Sequence, residues 1–181
     1  GLVGSEMCIR DRSCATHGKR SIVATHLLES MINNPTPTRA EVTDIANAVY
    51  EGADAVMLSG ETSIGKYPEE CIKFMKSIVA ETEKFKTLGY ENNLQKNSDW
   101  EYIGQAAKNL AESIKADGII AITRTGDTAT YIANAKPHGV PIFSFTNNEV
   151  TLRQLSLVGS TISFLIKDCL LYTSDAADEL R

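Results

Sequence analysis

Short apolar runs and helical stripes alternate along the chain, with breaks marked by polar residues, glycine and proline. Ser21-Ile22-Val23-Ala24-Thr25 is rich in β-branched residues and reads as a strand. Beyond His26–Met31 lies Asn33-Asn34-Pro35-Thr36-Pro37, loop material because each proline steers its predecessor away from helix. Thr38 opens a helix through a capping box with Glu41. Val42, Ile45, Ala46 and Val49 give that helix an apolar stripe, and Gly52 ends it. Ala55-Val56-Met57-Leu58 then has the pattern of a strand buried on both faces, as in parallel sheets. It stops at Ser59-Gly60-Glu61-Thr62, a small, polar stretch predicted as a flexible loop. Pro68 suits the first turn of the next helix, whose predicted buried face is Cys71, Ile72, Met75, Ile78 and Val79.

Residues 84–99 have no period, and the linker (86–98) and domain boundary are placed there. A second unit opens with Ser98 and Glu101 as another capping box. Ile103, Ala106, Ala107, Leu110, Ala111 and Ile114 form the cleanest helical stripe in the chain and are predicted to face the core. Gly118–Ile122 reads as a buried strand. The loop Thr123–Thr128 opens a helix from about Ala129, and Pro141–Phe145 is the next strand. Thr146 and Glu149 are predicted to box a helix through Leu157, and Thr161–Ile166 to form a third strand. Strands separated by helices imply parallel pairing through crossovers, hence an α/β class. The second unit stops after three strands without a closing helix.

A strand that ends in a polar loop before a helix is where α/β proteins place their chemistry. That rule singles out the end of Ala55–Leu58. Composition narrows the rest only a little. With 181 residues, 43% hydrophobic and 23% charged, the chain is ordinary for a globular protein. A net charge of −5 without a basic cluster argues against nucleic acid or an anionic membrane as partner. No run of about 18 apolar residues suggests a membrane span, and no signal-peptide pattern opens the chain. Cys8, Cys14, Cys71 and Cys169 form no C-x-x-C pair and no His cluster accompanies them, so no metal site is expected. The cysteine pattern suits a reducing, cytoplasmic compartment. Residues 1–12 and 169–181 lack period and caps and resemble translated sequencing-adapter read-through, so the natural chain is expected to continue at both sides.

Residues 24–70, ATHLLESMINNPTPTRAEVTDIANAVYEGADAVMLSGETSIGKYPEE, are very similar to pyruvate kinase. The family patterns A-T-Q-M-L-E-S-M, P-T-R-A-E and M-L-S-G-E-T follow in order and at family spacing. The resemblance runs from about Cys14 to about Asp168 and loosens after Glu83. It implies the last two β/α units of a (β/α)8 TIM-type barrel (13–85) followed by a truncated three-layer α/β C-terminal domain (99–168). The family transfers phosphoryl from phosphoenolpyruvate to ADP and protonates the enolate to pyruvate, using Mg²⁺ and usually K⁺. Full-length members are expected as homo-oligomers, here a tetramer.

The resemblance also implies roles. Thr25, at the carboxyl end of its strand, would border the substrate and serve as one link in a hydroxyl–water proton relay; a strand-end cap is the other reading. His26 stands where the family usually has Gln, a secondary catalytic candidate that could titrate near neutral pH. Ser59 and Glu61 would organise water on the proton-donating side, against the reading of Glu61 as a solvated loop residue. Arg39 and Asp44 would lie at a subunit interface, or on a solvated helix face. Thr123, Arg124, Thr125, Gly126, Asp127 and Thr128 match the loop that holds an effector phosphate in many relatives. Asp127, at a position often Arg in sugar-bisphosphate-activated members, would repel phosphate there. Lys66 is two positions from the family's nucleotide-side Lys, where Ile64 stands, and inherits no role.

Phosphoryl transfer needs a Lys and metal ions to neutralise charge. The family's Lys and metal carboxylates lie on earlier strands, so the chain alone is expected to be inactive and, with open strand edges, prone to aggregate. Two alternatives are a stand-alone phosphate-binding regulatory module and a different barrel enzyme acting on phosphoenolpyruvate-type substrates.

Overall fold

The computed structural model describes residues 12–24 and 26–166. The predictions for Cys8 and Cys169, for Thr25, and for nearly all of both terminal segments lie outside those residues. Arg12 is the exception. It heads a helical turn over residues 12–16, and its guanidinium sits 5.9 Å from the centre of the Tyr90 ring.

The chain divides into two compact units, 1–95 and 96–181. In the first, β1 (Ile22–Val23) pairs in parallel with β2 (Ala55–Val56), Ile22 opposite Ala55 and Val23 opposite Val56. Both strands are shorter than the apolar runs suggested, because each gives way to a turn at its carboxyl end. Between them lie a 3₁₀ turn (Glu29–Ile32) and α1 (Arg39–Tyr50), capped by the reciprocal Thr38–Glu41 box. After β2 the chain winds a single helical turn, α2 (Gly60–Ser63), and then α3 (Pro68–Thr82). Val23, Leu28, Met31, Ile45, Cys71 and Met75 are the buried centre of this unit. Ile72, expected in that face, is exposed. It lies with Val56, Leu58, Met75 and Val79 along an apolar groove of about 550 Å³.

The aperiodic stretch before the second unit is ordered rather than featureless. It makes a 3₁₀ turn (Tyr90–Asn93), buries Glu91 and Leu94, and returns through Gln95, whose N–H donates to Thr16 O at 2.8 Å. In the second unit β3 (Ile119–Ile122), β4 (Ile142–Thr146) and β5 (Thr161–Leu165) form a parallel sheet in that order. Its helices are α4 (Asp99–Ser113), α5 (Asp127–Asn134) and α6 (Glu149–Leu155).

Here three expectations are corrected. Of the predicted α4 stripe, Ala111 is buried and Ala107 packs against the core, but Ile103, Ala106, Leu110 and Ile114 face outward, with Leu110 62% exposed; Gly104 and Lys108 complete the buried side. The reason is the close approach of α4 to α5. A Cβ on Gly104 would lie 2.6 Å from the Tyr131 carbonyl oxygen, so only the small-residue face can be turned inward. Second, Gly118–Ile122, read as a buried strand, has one open face. Ala121 is buried while Ile120 is 69% exposed, and Ile122, Ile162 and Phe164 share that uncovered side. Third, Thr146 does not cap α6. Asn148 does, accepting from Val150 N at 2.8 Å and Thr151 N at 3.3 Å, while Thr146 Oγ1 accepts from Asn148 N.

Candidate active site

The carboxyl ends of β1 and β2 lead into two turns, and one carboxylate joins them. Ser59-Gly60-Glu61-Thr62 is not a flexible loop but the start of α2, and Glu61 is only 3% exposed. Gly65 makes this turn possible. A Cβ there would come within 2.2 Å of the Glu61 carbonyl oxygen, so any larger residue would unwind α2. The Glu61 carboxylate accepts from Ser59 N at 2.8 Å in its own turn and from Leu28 N at 3.2 Å in the segment that follows β1. Burial works to raise the Glu61 carboxyl. The N–H groups of Glu61 itself, Ser59 and Leu28, aided by the charge of His26, outweigh it and hold the carboxyl below its ordinary range.

An ionised, fully directed carboxylate of this kind is an acceptor and a fixed negative charge. By itself it is not a proton donor at neutral pH. Ser59, whose N–H the carboxylate takes, is an exposed residue. His26 is exposed too, its Nδ1 3.5 Å from Glu29 Oε1. Its φ of +26° is a conformation few non-glycine residues adopt, and it marks a sharp change of chain direction at the end of β1. Of the predicted catalytic set, the structure thus gathers Ser59, Glu61 and His26 at one end of the two strands, with Thr25 outside the described residues. Cys71 of α3 lies under the turn, its thiol donating to the Glu61 carbonyl at 3.8 Å. Burial foremost, then the charge of Glu61, push that thiol up from its usual range.

Sequence reasoning missed one participant. Glu41 was recognised as a helix cap, yet the same carboxylate also accepts from Ser30 N at 2.7 Å and Ser30 Oγ at 2.6 Å. Nothing in a capping-box pattern signals a second, more distant client.

The other predicted sites stand apart. Arg39 and Asp44 are both exposed on α1. In the second unit, the Thr123–Thr128 loop is occupied with its own bonds. Gly126 N donates to the buried Thr123 Oγ1 at 2.8 Å, Thr125 Oγ1 donates to Asp127 Oδ2 at 2.7 Å, and Arg124 O accepts from Thr151 Oγ1. The Lys66 N–H donates to Ile32 O at 2.9 Å. Among the described residues no group of three or more His, Cys, Asp or Glu could hold a metal ion. The Glu61 oxygens are already committed to N–H donors, so this set does not fit Mg²⁺ or K⁺ on its own. No described helix is long and apolar enough to cross a membrane.

Parallel strands whose carboxyl ends lead to a buried carboxylate and a serine define the class: an α/β protein of two parallel α/β units, the first with a barrel-type site at its strand ends. The family model "Pyruvate kinase, barrel domain" matches residues 5–72, and "Pyruvate kinase, alpha/beta domain" matches 101–181. The chain is 43% identical to a pyruvate kinase of Thermotoga maritima over 157 residues, 84% of this chain and 33% of that protein. It is 41% identical to one from Agrobacterium vitis over 158 residues, 85% of this chain and 33% of that protein. A crystal structure of a pyruvate kinase from Cryptosporidium parvum superimposes with a TM-score of 0.86 at 31% identity, covering 96% of this chain and 36% of that one. The chain belongs to the pyruvate kinase family, a family of phosphotransferases, and spans about a third of the length of these relatives.

Proposed function

We propose that this chain supplies the proton-donating side of a pyruvate kinase site. The observation that carries this reading is Glu61, buried at the carboxyl end of β2 and fastened to the segment after β1. In the protein completed by the rest of a barrel, phosphoenolpyruvate gives up its phosphoryl group to ADP, and the enolate left behind takes a proton. Ser59 and Thr25 offer hydroxyls for a water-linked relay to that carbon. Glu61 orients the relay by fixed charge rather than by giving its own proton. His26 borders the relay and is a secondary participant. Mg²⁺ and K⁺, the family's ions, would be held by groups beyond the described residues, and no step here is routed through them.

Arg39 and Asp44 suit a homo-oligomeric, tetrameric assembly of the completed protein, working in the cytoplasm. The Thr123–Thr128 loop is proposed as a vestigial effector site. The hydroxyls of Thr123 and Thr125 are internally engaged, and Asp127 puts a negative charge where phosphate would lie.

The 181-residue chain alone should not convert phosphoenolpyruvate and ADP to pyruvate, because the resemblance puts the Lys and metal carboxylates that phosphoryl transfer needs on earlier barrel strands, and no described group of three or more His, Cys, Asp or Glu could hold a metal ion. A coupled assay for pyruvate checks this. In a full-length protein carrying this segment, Glu61→Gln should lower kcat more than it raises KM. Turnover by the chain alone, or an unchanged kcat in the variant, would overturn the proposal.

A further inference from the structure

We propose that Glu41 is a positioning residue for Glu61, acting through the turn between Leu28 and Ser30. This inference rests on the reading of Glu61 as a site carboxylate and assigns a second function to what the sequence presents as a helix cap. The Glu41 carboxylate receives four donors. Oε1 accepts from Ser30 N at 2.7 Å, while Oε2 accepts from Ser30 Oγ at 2.6 Å, Thr38 N at 2.7 Å and Thr38 Oγ1 at 2.8 Å. Half of that set satisfies the N-terminus of α1. The other half grips the 3₁₀ turn Glu29–Ile32 that continues the chain beyond β1.

Leu28, the residue before that turn, is held by Glu61 through its N–H. Two carboxylates from two elements therefore fix backbone groups two residues apart. Leu28 is fully buried and Ser30 half-buried, so neither N–H can turn to water without moving the turn. If the grip on Ser30 is released, Ser30 N–H loses its acceptor, and the turn keeps its own bond from Met31 N to Leu28 O and, at its far end, the bond from Lys66 N to Ile32 O. Leu28 N then loses its fixed place relative to Glu61. The capping box alone would not need Ser30 at all, which makes the second set of bonds informative.

Among the described residues, Ser59 and Leu28 donate N–H groups to Glu61, and Cys71 feels the charge of Glu61 and of Glu41. His26 acts on Glu61 from the segment after β1, and Cys71 lies against Glu61 from α3. Ser30 and Thr38 surround Glu41. Burial alone would raise the Glu41 carboxyl, and the Ser30 and Thr38 donors bring it below its ordinary range.

The test is carbon-detected NMR titration of the Glu61 side-chain carboxyl in the 181-residue chain, assigned by its loss in Glu61→Gln. In the parent, Glu61 should titrate below the ordinary carboxylate range. Glu41→Gln retains a residue type that serves in capping boxes, but with its oxygen in the Oε2 place its NH₂ faces Ser30 N–H, which loses its acceptor. Glu61 should then titrate higher, toward the ordinary range. Ser30→Ala removes the hydroxyl link alone and should move Glu61 in the same direction by less; it decides the matter if Glu41→Gln does not fold. Thr38→Ala weakens the cap while leaving the Ser30 bonds, and should leave Glu61 where it is. Repeating the series in a His26→Gln background removes the charge of that imidazole from the comparison. A parent in which Glu61 titrates low, with no movement in Glu41→Gln or Ser30→Ala, would overturn the inference and leave the site reading intact. A parent in which Glu61 titrates in the ordinary range would overturn the site reading, and the inference with it.

Discussion

Removing the Glu61 carboxylate should destabilise the first unit in a way that depends on pH. In Glu61→Ala, Leu28 N–H is left buried without an acceptor, a loss of about 1–3 kcal/mol. Ser59 N–H loses its bond as well, but Ser59 is exposed and water replaces part of it. The total should come to about 3 kcal/mol. Glu61→Gln keeps one acceptor oxygen and turns an NH₂ toward the second donor, so about 1–2 kcal/mol is expected. The sign of the pH effect follows from the lowered carboxyl. A group whose folded-state pKa is depressed adds stability that is complete above its unfolded value, with an ordinary value of 4.5, and that is lost as pH falls through the folded one. Urea unfolding of parent and Glu61→Gln, followed by far-UV circular dichroism, should therefore show a constant gap from neutral pH down to about pH 5. Below that the gap should close as the parent's carboxylate takes up its proton. Exchange of the Leu28 amide gives a local reading of the same loss. No gap at neutral pH, or a gap that stays the same into strong acid, would refute the account of Glu61 as a charged fastening between two turns.

Two further outcomes follow from the second unit. Gly104→Ala puts a methyl group 2.6 Å from the Tyr131 carbonyl oxygen, so α4 and α5 must separate. The cost should be about 1–3 kcal/mol in spite of alanine's better helix propensity, and urea unfolding monitored by Trp100 fluorescence checks it. Fructose bisphosphate should give no micromolar binding by calorimetry, because Asp127 holds the Thr125 hydroxyl and repels phosphate. Asp127→Ser should strengthen whatever weak binding exists.

Local rules made the helix starts legible. Thr38 with Glu41 and Ser98 with Glu101 were readable as capping boxes, and both are present. A box is a contract between neighbours, so three residues of sequence contain it. The Thr146–Glu149 pairing failed for the same reason seen from the other side. Asn148, closer to the helix start, is the better acceptor for the first-turn N–H groups and takes the position. Glu61 could not be placed from local pattern. Small polar neighbours suggested a solvated loop, whereas its burial depends on Leu28, brought across by the pairing of β1 with β2. The bond of Glu41 to Ser30 was out of reach in the same sense, since a long-range acceptor leaves no periodic trace.

The misread stripe on α4 shows what periodicity does encode. Ile103, Leu110 and Ile114 recur at helical spacing as strongly as any core-facing set, yet all three are exposed, as are Ile120, Ile122, Ile162 and Phe164 on the open face of the sheet. A repeat of apolar residues says that a helix or strand has an apolar side. It does not say which contact wins when two sides compete for one neighbour. For α4 that competition is settled by distance. At Gly104 the α4 backbone comes so close to Tyr131 of α5 that no side chain fits between them, whereas a face of Ile103 and Leu110 would hold α5 off. The close approach at Gly104 therefore leaves the bulkier stripe outward. The same logic applies at the site end of the molecule. Glu61 is buried because two N–H donors need it more than water does, and the chemistry available to it is what those two bonds leave over.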